Sequence, residues 1–97
     1  MEHYELSQAA TNDIIGIYKY GLQQFGDRQA KKYLSELELF LNKLIKNENL
    51  ARDASMFARN LKYNIFKKHV VFYLIDDENS ILVIRILGSR MNFIEHI

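Results

Sequence analysis

The stretch Leu61-Lys-Tyr-Asn-Ile-Phe66, Lys67-Lys68, His69-Val-Val-Phe-Tyr-Leu-Ile75, Asp76-Asp-Glu-Asn-Ser80, Ile81-Leu-Val-Ile-Arg-Ile-Leu87 decides the fold. Three runs rich in β-branched and aromatic residues are separated by short polar breaks, which predicts an antiparallel meander. Leu61, Tyr63 and Ile65 alternate with Lys62 and Asn64, as a half-exposed strand does. The next two runs, about 69–75 and 80–87, are apolar at odd and even positions alike. They predict central strands covered on both faces. A pair of helices can cover only one face of such a sheet. The other face needs a second cover or is a docking surface.

Upstream the period changes. His3-Tyr4-Glu5-Leu6 is a short candidate strand, and Ser7 is a candidate N-cap whose hydroxyl can accept from the first free helical amides. Apolar residues then recur at Ala10, Ile14, Ile17, Gly21 and Phe25, which is helical spacing. Gly26 is suited to end that helix, because glycine reaches positive φ at little cost. Asp27 is a candidate cap for a second helix with the stripe Ala30, Tyr33/Leu34, Leu37, Phe40/Leu41, Leu44/Ile45. Lys43 and Lys46 complement its negative end. Residues 7–46 therefore predict an αα-hairpin. The segment 47–60, polar at first and then carrying Leu50, Ala51, Ala54, Met56 and Phe57, reads as a connection with one helical turn that drops a few side chains onto the core. The expected order is β-α-α-β-β-β, an α+β two-layer fold: an N-terminal strand, the αα-hairpin, then a three-stranded antiparallel meander.

The 97 residues make a single domain, 1–97. With 48% hydrophobic residues the chain can fill one core. It has no cysteine, so a disulfide framework and a thiolate metal site are excluded. The start, Met-Glu-His-Tyr-Glu-Leu-Ser-Gln, lacks the basic-then-apolar pattern of a signal peptide. No apolar run approaches the roughly 20 residues that span a bilayer. A net charge of +1 argues against a protein that works by wrapping nucleic acid.

No catalytic motif stands out, and His3, His69 and His96 are too scattered to suggest a metal. No cofactor is expected. Arg85 is the anomaly, a charge on the odd-numbered face with Ile81, Val83 and Leu87 in an otherwise apolar strand. A buried guanidinium needs an acid, an anion or solvent. A helix carboxylate or Glu95 would make it structural; otherwise it contacts a target. Tyr18, Tyr33, Tyr63 and Tyr73 read as packing residues with a hydroxyl at the rim. The tail after Gly88 mixes Arg90, Glu95 and His96 with Met91, Phe93, Ile94 and Ile97, so it is either a core-finishing turn or a recognition element.

Leu6-Ser7 followed by Ala10 and Asp13-Ile14 resembles the Leu-Ser-x-x-Ala-x-x-Asp-(Leu/Ile) opening of ParE-like toxins. Tyr18, Phe25-Gly26, Gln29-Ala30, Tyr33 and Leu37 are similar to their second block. His69-Val-Val-Phe-Tyr73 resembles a His-Val-Ile-Phe-Tyr strand, and Val83-Ile-Arg-Ile-Leu87 with Arg90-Met91 resembles the closing block. The resemblance runs from about residue 4 to 97 and points to the RelE/ParE superfamily. The family's acid after Arg-Met is Asn92 here, and the His before that pair is replaced by Gly88-Ser89.

The resemblance implies the toxin of a toxin–antitoxin pair, a cytoplasmic protein that stalls DNA gyrase on cleaved DNA without being an enzyme. It implies a ParD-like antitoxin that wraps the toxin as a hetero-oligomer and would cover the spare apolar sheet face. It implies no membrane and no direct sequence-specific nucleic acid contact. Arg85, Arg90, Met91, Asn92, Glu95 and His96 become target-contact candidates, with Arg59, His69 and Tyr73 secondary. The alternatives are a RelE-like ribosome-dependent mRNA endonuclease, with Arg59, Arg85, His69, Tyr73 and His96 cast in acid, base and phosphate-binding parts, or an inactive toxin-fold protein that only binds its antitoxin.

Overall fold

Ser7 begins the first helix as its sequence suggests. Its backbone is extended, and its hydroxyl accepts the Ala10 N–H at 3.0 Å. Helix α1 (Gln8–Phe25) ends at Gly26, whose φ of 87° and ψ of 173° define a conformation open essentially to glycine alone. The Gly26 N–H returns to the Leu22 carbonyl, and helix α2 (Asp27–Lys46) starts at the next residue. Asp27, expected as the cap, is instead the first helical residue, paired with Lys31 at 3.2 Å. The helices approach closely at Gly21, where a Cβ would lie 3.3 Å from that of Ala30.

The computed structural model describes residues 3–78 and 80–97; Met1 and Glu2 of the leader reading, and Asn79 of the acidic break, lie outside the described residues. The meander is formed by β3 (Lys62–Phe66), β4 (His69–Ile75) and β5 (Ile81–Gly88), with β4 central and antiparallel to both neighbours. The N-terminal strand β1 (Tyr4–Leu6) joins β5 in parallel, Glu5 opposite Leu82. A two-residue strand β2 (Arg52–Asp53) that the sequence did not announce borders β3. The sheet order is β1-β5-β4-β3-β2. The helical turn expected in the connection is a 3-10 turn at Glu48–Leu50.

Both sheet faces are covered, which is why β4 and β5 do not alternate. Leu37, Leu41 and Leu44 of α2 and Ala10 of α1 pack on Phe66, Val71, Tyr73, Ile81, Val83 and Ile86. The opposite face holds Val70, Phe72 and Leu87 under Ala54, Leu61 and Phe57 of the connection and Phe93 and Ile97 of the tail. Phe57, Phe72 and Phe93 meet edge to face at centroid distances of 5.9, 5.1 and 5.9 Å. The second cover is thus the chain's own 54–61 segment and the terminal helical turn α3 (Phe93–His96), where the resemblance had supplied an antitoxin segment.

One irregularity redirects β5. Val71, Phe72 and Tyr73 stand opposite Ile86, Arg85 and Val83, so Ile84 is an extra residue, a β-bulge. The single odd-numbered face expected from the sequence is broken there. Ile81, Val83 and Ile86 face the helices, while Leu87 and Ile84 join the outer layer.

Candidate functional site

Beyond Leu6 the chain leaves β1 for α1, so among the described residues no strand borders the last half of β5 on that side. Side chains occupy the edge instead. The Ser7 hydroxyl donates to the Ile84 carbonyl at 2.7 Å. Nearly two turns further along, on α1, Asp13 accepts the Ile86 N–H at 2.9 Å. The same carboxylate takes the Arg85 guanidinium in a two-point contact, Nε and Nη2 each at 2.8 Å. Arg85 Nη1 donates to the His96 carbonyl at 2.6 Å. The Arg85 and Asp13 side chains are 20% and 14% exposed, so the pair is largely out of water. The hydrogen bond that the guanidinium donates to Asp13 holds its proton more firmly still. Arg85 therefore ties helix α1, strand β5 and the tail together, the helix-acid alternative weighed from the sequence.

His69 opens β4 opposite Gly88. Its Nδ1 and the Tyr33 hydroxyl share a hydrogen bond of 2.6 Å. Burial lowers the His69 pKa, against a smaller opposing pull from Asp13, which favours the neutral ring. Burial likewise raises the pKa of Tyr33. Of the two lysines in the preceding turn, Lys67 turns back to Glu36 at 2.8 Å and over the Tyr33 ring at 5.2 Å. Lys68 lines a groove.

That open groove, about 730 Å³, runs between α1 and the end of β5. Asn12, Asp13, Gly16, Ile17 and Tyr20 form one wall; Ile86 to Gly88 form the other, with Lys68, His69, Arg90 and Met91 at its end. A second, smaller depression of about 340 Å³ shares Ile17, Tyr20, Lys68 and His69 and continues to Phe25. Tyr20 and Phe25 are 61% and 67% exposed.

The structure thus sorts the sequence candidates. Arg90, Met91 and His69 meet in the groove. Arg85 and the His96 carbonyl are bonded to each other at the outer end of β5. Asn92 caps α3, its side chain accepting the Ile94 N–H at 3.2 Å. Glu95 is exposed on α3, and Arg59 is exposed in the outer segment. Tyr73 is 1% exposed in the helix-side core. Sequence reasoning did not single out Asp13 as a site residue, although an acid three residues after Ala10 in the apolar stripe of α1 was a signal. Gly16, Tyr20 and Lys68 gave no comparable signal, because only the turn and the helix crossing bring them together.

An αα-hairpin laid over a mixed sheet, with a terminal turn closing the far face, defines a class of small two-layer α+β domain. A model of the ParE toxin of the type II toxin–antitoxin system parDE matches residues 4–93. The chain belongs to this toxin family. Toxin ParE of Escherichia coli is 30% identical over 92 residues, spanning 95% of this chain and 89% of that one. Toxin ParE1 of Caulobacter vibrioides is 27% identical over 97 residues, spanning 100% and 99%. A solved chromosomal ParDE TA system from P. aeruginosa shares the fold, with a TM-score of 0.75 over 91% of this chain and 95% of that one at 14% identity.

Proposed function

We propose that this toxin inhibits DNA gyrase by binding it, without catalysis of its own, and that a ParD-like antitoxin neutralises it. The family match through Phe93 supports the toxin role. What favours a binding mode over ribonuclease chemistry is the commitment of three of the five residues in the catalytic cast. Arg85 is held by Asp13 and the His96 carbonyl, Tyr73 is in the core, and His69 Nδ1 is engaged by Tyr33. A ribonuclease needs such groups free to reach a 2′-hydroxyl and a phosphate. The exposed Arg90 and Met91 at the groove's end are the target contacts in this reading.

The test adds purified protein to gyrase and plasmid. The expected result is blocked supercoiling with trapped cleavage complexes, weakened at least tenfold by the double change Arg90→Ala and Met91→Ala in a protein that still unfolds cooperatively. No effect on gyrase at clear molar excess overturns the proposal. Cut mRNA in a translating extract would favour the ribonuclease instead.

A further inference from the structure

The groove has a floor of unusual chemistry, the open edge of a strand. Hydrogen bonding alternates along an antiparallel strand, one residue facing its partner and the next facing away. The Ser89 N–H reaches the Lys68 carbonyl, on the β4 side. The Ile86 N–H reaches Asp13 and the Gly88 N–H reaches Met91 Sδ at 3.2 Å, both on the α1 side. Ile86 and Gly88 therefore direct their backbone groups into the groove. A thioether sulfur is a weak acceptor, so the Gly88 amide is held only lightly. Met91 itself is 40% exposed.

The walls leave room for another backbone. A Cβ built on Gly16 has nothing within 4 Å, and one on Gly88 meets only Met91. The residue facing Leu87 in a parallel partner would donate to the Ile86 carbonyl and accept from the Gly88 N–H. Glu5 of β1 faces Leu82 in that same parallel sense further back on this strand. The groove's charge is one-sided. Asp13 is neutralised by Arg85, which leaves Lys68 and Arg90.

We infer that the groove between α1 and the outer half of β5 takes an extended acidic segment of the antitoxin as a parallel strand on Ile86 and Gly88, with Met91 displaced as the plug. The inference rests on the antitoxin reading above and adds its place and mode. Carboxylates on the segment face Lys68 and Arg90, and the seated strand covers the residues assigned to target contact. Neutralisation is then direct competition for one groove.

The probe is the protein encoded by the reading frame adjacent to this gene, titrated into the isotope-labelled full chain. Exchange of the Gly88 amide should slow at least tenfold on binding. Gly16→Trp, which fills the groove from an exposed helix position, should weaken binding at least tenfold while the circular dichroism spectrum is unchanged; Gly16→Gln is the smaller second variant should the first misfold. Gly88 exchange that does not change, or a folded groove-filling variant that binds within threefold of the unmodified chain, overturns the groove and leaves antitoxin binding standing. A probe that fails to bind the unmodified chain overturns both.

Discussion

Replacing Asp13 by Ala removes one side chain and strands two groups. The Arg85 guanidinium loses both bonds from Nε and Nη2 and keeps only the His96 carbonyl on Nη1. The Ile86 N–H loses its acceptor on an edge with no neighbouring strand. Breaking a buried ion pair from one side costs about 3–5 kcal/mol, and a stranded buried amide about 1–3 kcal/mol. The two do not add, because water reaches the vacated space beside an Arg85 side chain that is one-fifth exposed. A loss of about 3 kcal/mol is the expected outcome, against a total of roughly 5–15 kcal/mol for a domain this size. In a domain of this length that lowers Tm by about 12–24 °C. Urea unfolding followed by far-UV circular dichroism measures it, with thermal melts as a check. The partner change Arg85→Met closes a double-mutant cycle. Removing both members leaves no orphan charge, so the double variant should be more stable than the summed losses require, by about 1.5 kcal/mol or more. A loss below about 1 kcal/mol for Asp13→Ala, or strict additivity in the cycle, would refute the view that this carboxylate joins helix, strand and tail.

Two glycines of α1 should respond oppositely to alanine. Gly16→Ala gains helix propensity in open space and should stabilise by about 0.5–1 kcal/mol, whereas Gly21→Ala drives a methyl to 3.3 Å from Ala30 and should be neutral or destabilising in urea titrations. Acid should weaken the fold through His69: its folded pKa is lowered, so below about 6.5 the unfolded chain takes up the proton first, and stability falls as pH drops through the folded value. His69→Gln should flatten the stability profile between pH 7.5 and 5.5, and an unchanged slope would show that other groups set it. Phe93→Ala removes the ring packed edge to face against Phe72 and Phe57 and should cost about 2–3 kcal/mol by urea unfolding, less than the 3–5 of a fully buried Phe because Phe93 is only partly covered.

Much of the fold was legible because local rules and tertiary packing agree. Ser7, Gly26 and the stripe of α2 sit where capping chemistry and the 3.6-residue period put them. The apolar character of β4 and β5 correctly announced two covered faces, yet not what covers the second. Phe57 and Phe93 are far apart in sequence and carry no periodic signal, so their meeting on Phe72 could only be seen in three dimensions. The bulge at Ile84 was equally hidden. A strand pattern assumes strict alternation, and one inserted residue moves Leu87 to the face opposite Ile81. The Arg85 anomaly was visible; its partner Asp13 is 72 residues away along the chain. The groove was the least legible feature, because glycines mark it by the absence of a side chain.

An open strand edge is a hazard, since its backbone groups invite any other chain. Here the edge of β5 is closed by three acceptors or donors in sequence: the Ser7 hydroxyl at Ile84, the Asp13 carboxylate at Ile86, and the Met91 thioether at Gly88. The first two are strong and anchored on α1; the last is weak and comes from an exposed tail residue. That order follows the direction in which the edge leaves the core. Where the edge supports the helix it is sealed by oxygen chemistry that is expensive to break. Where it reaches the groove it is held by a contact that a backbone carbonyl from another chain can readily replace. A strong acceptor at position 91 would make a more stable monomer and a poorer receptor. Met91→Gln offers such an acceptor to the Gly88 amide. It should slow exchange of that amide in the free chain and weaken antitoxin binding together, and a gain in protection with unchanged binding would separate the edge from recognition.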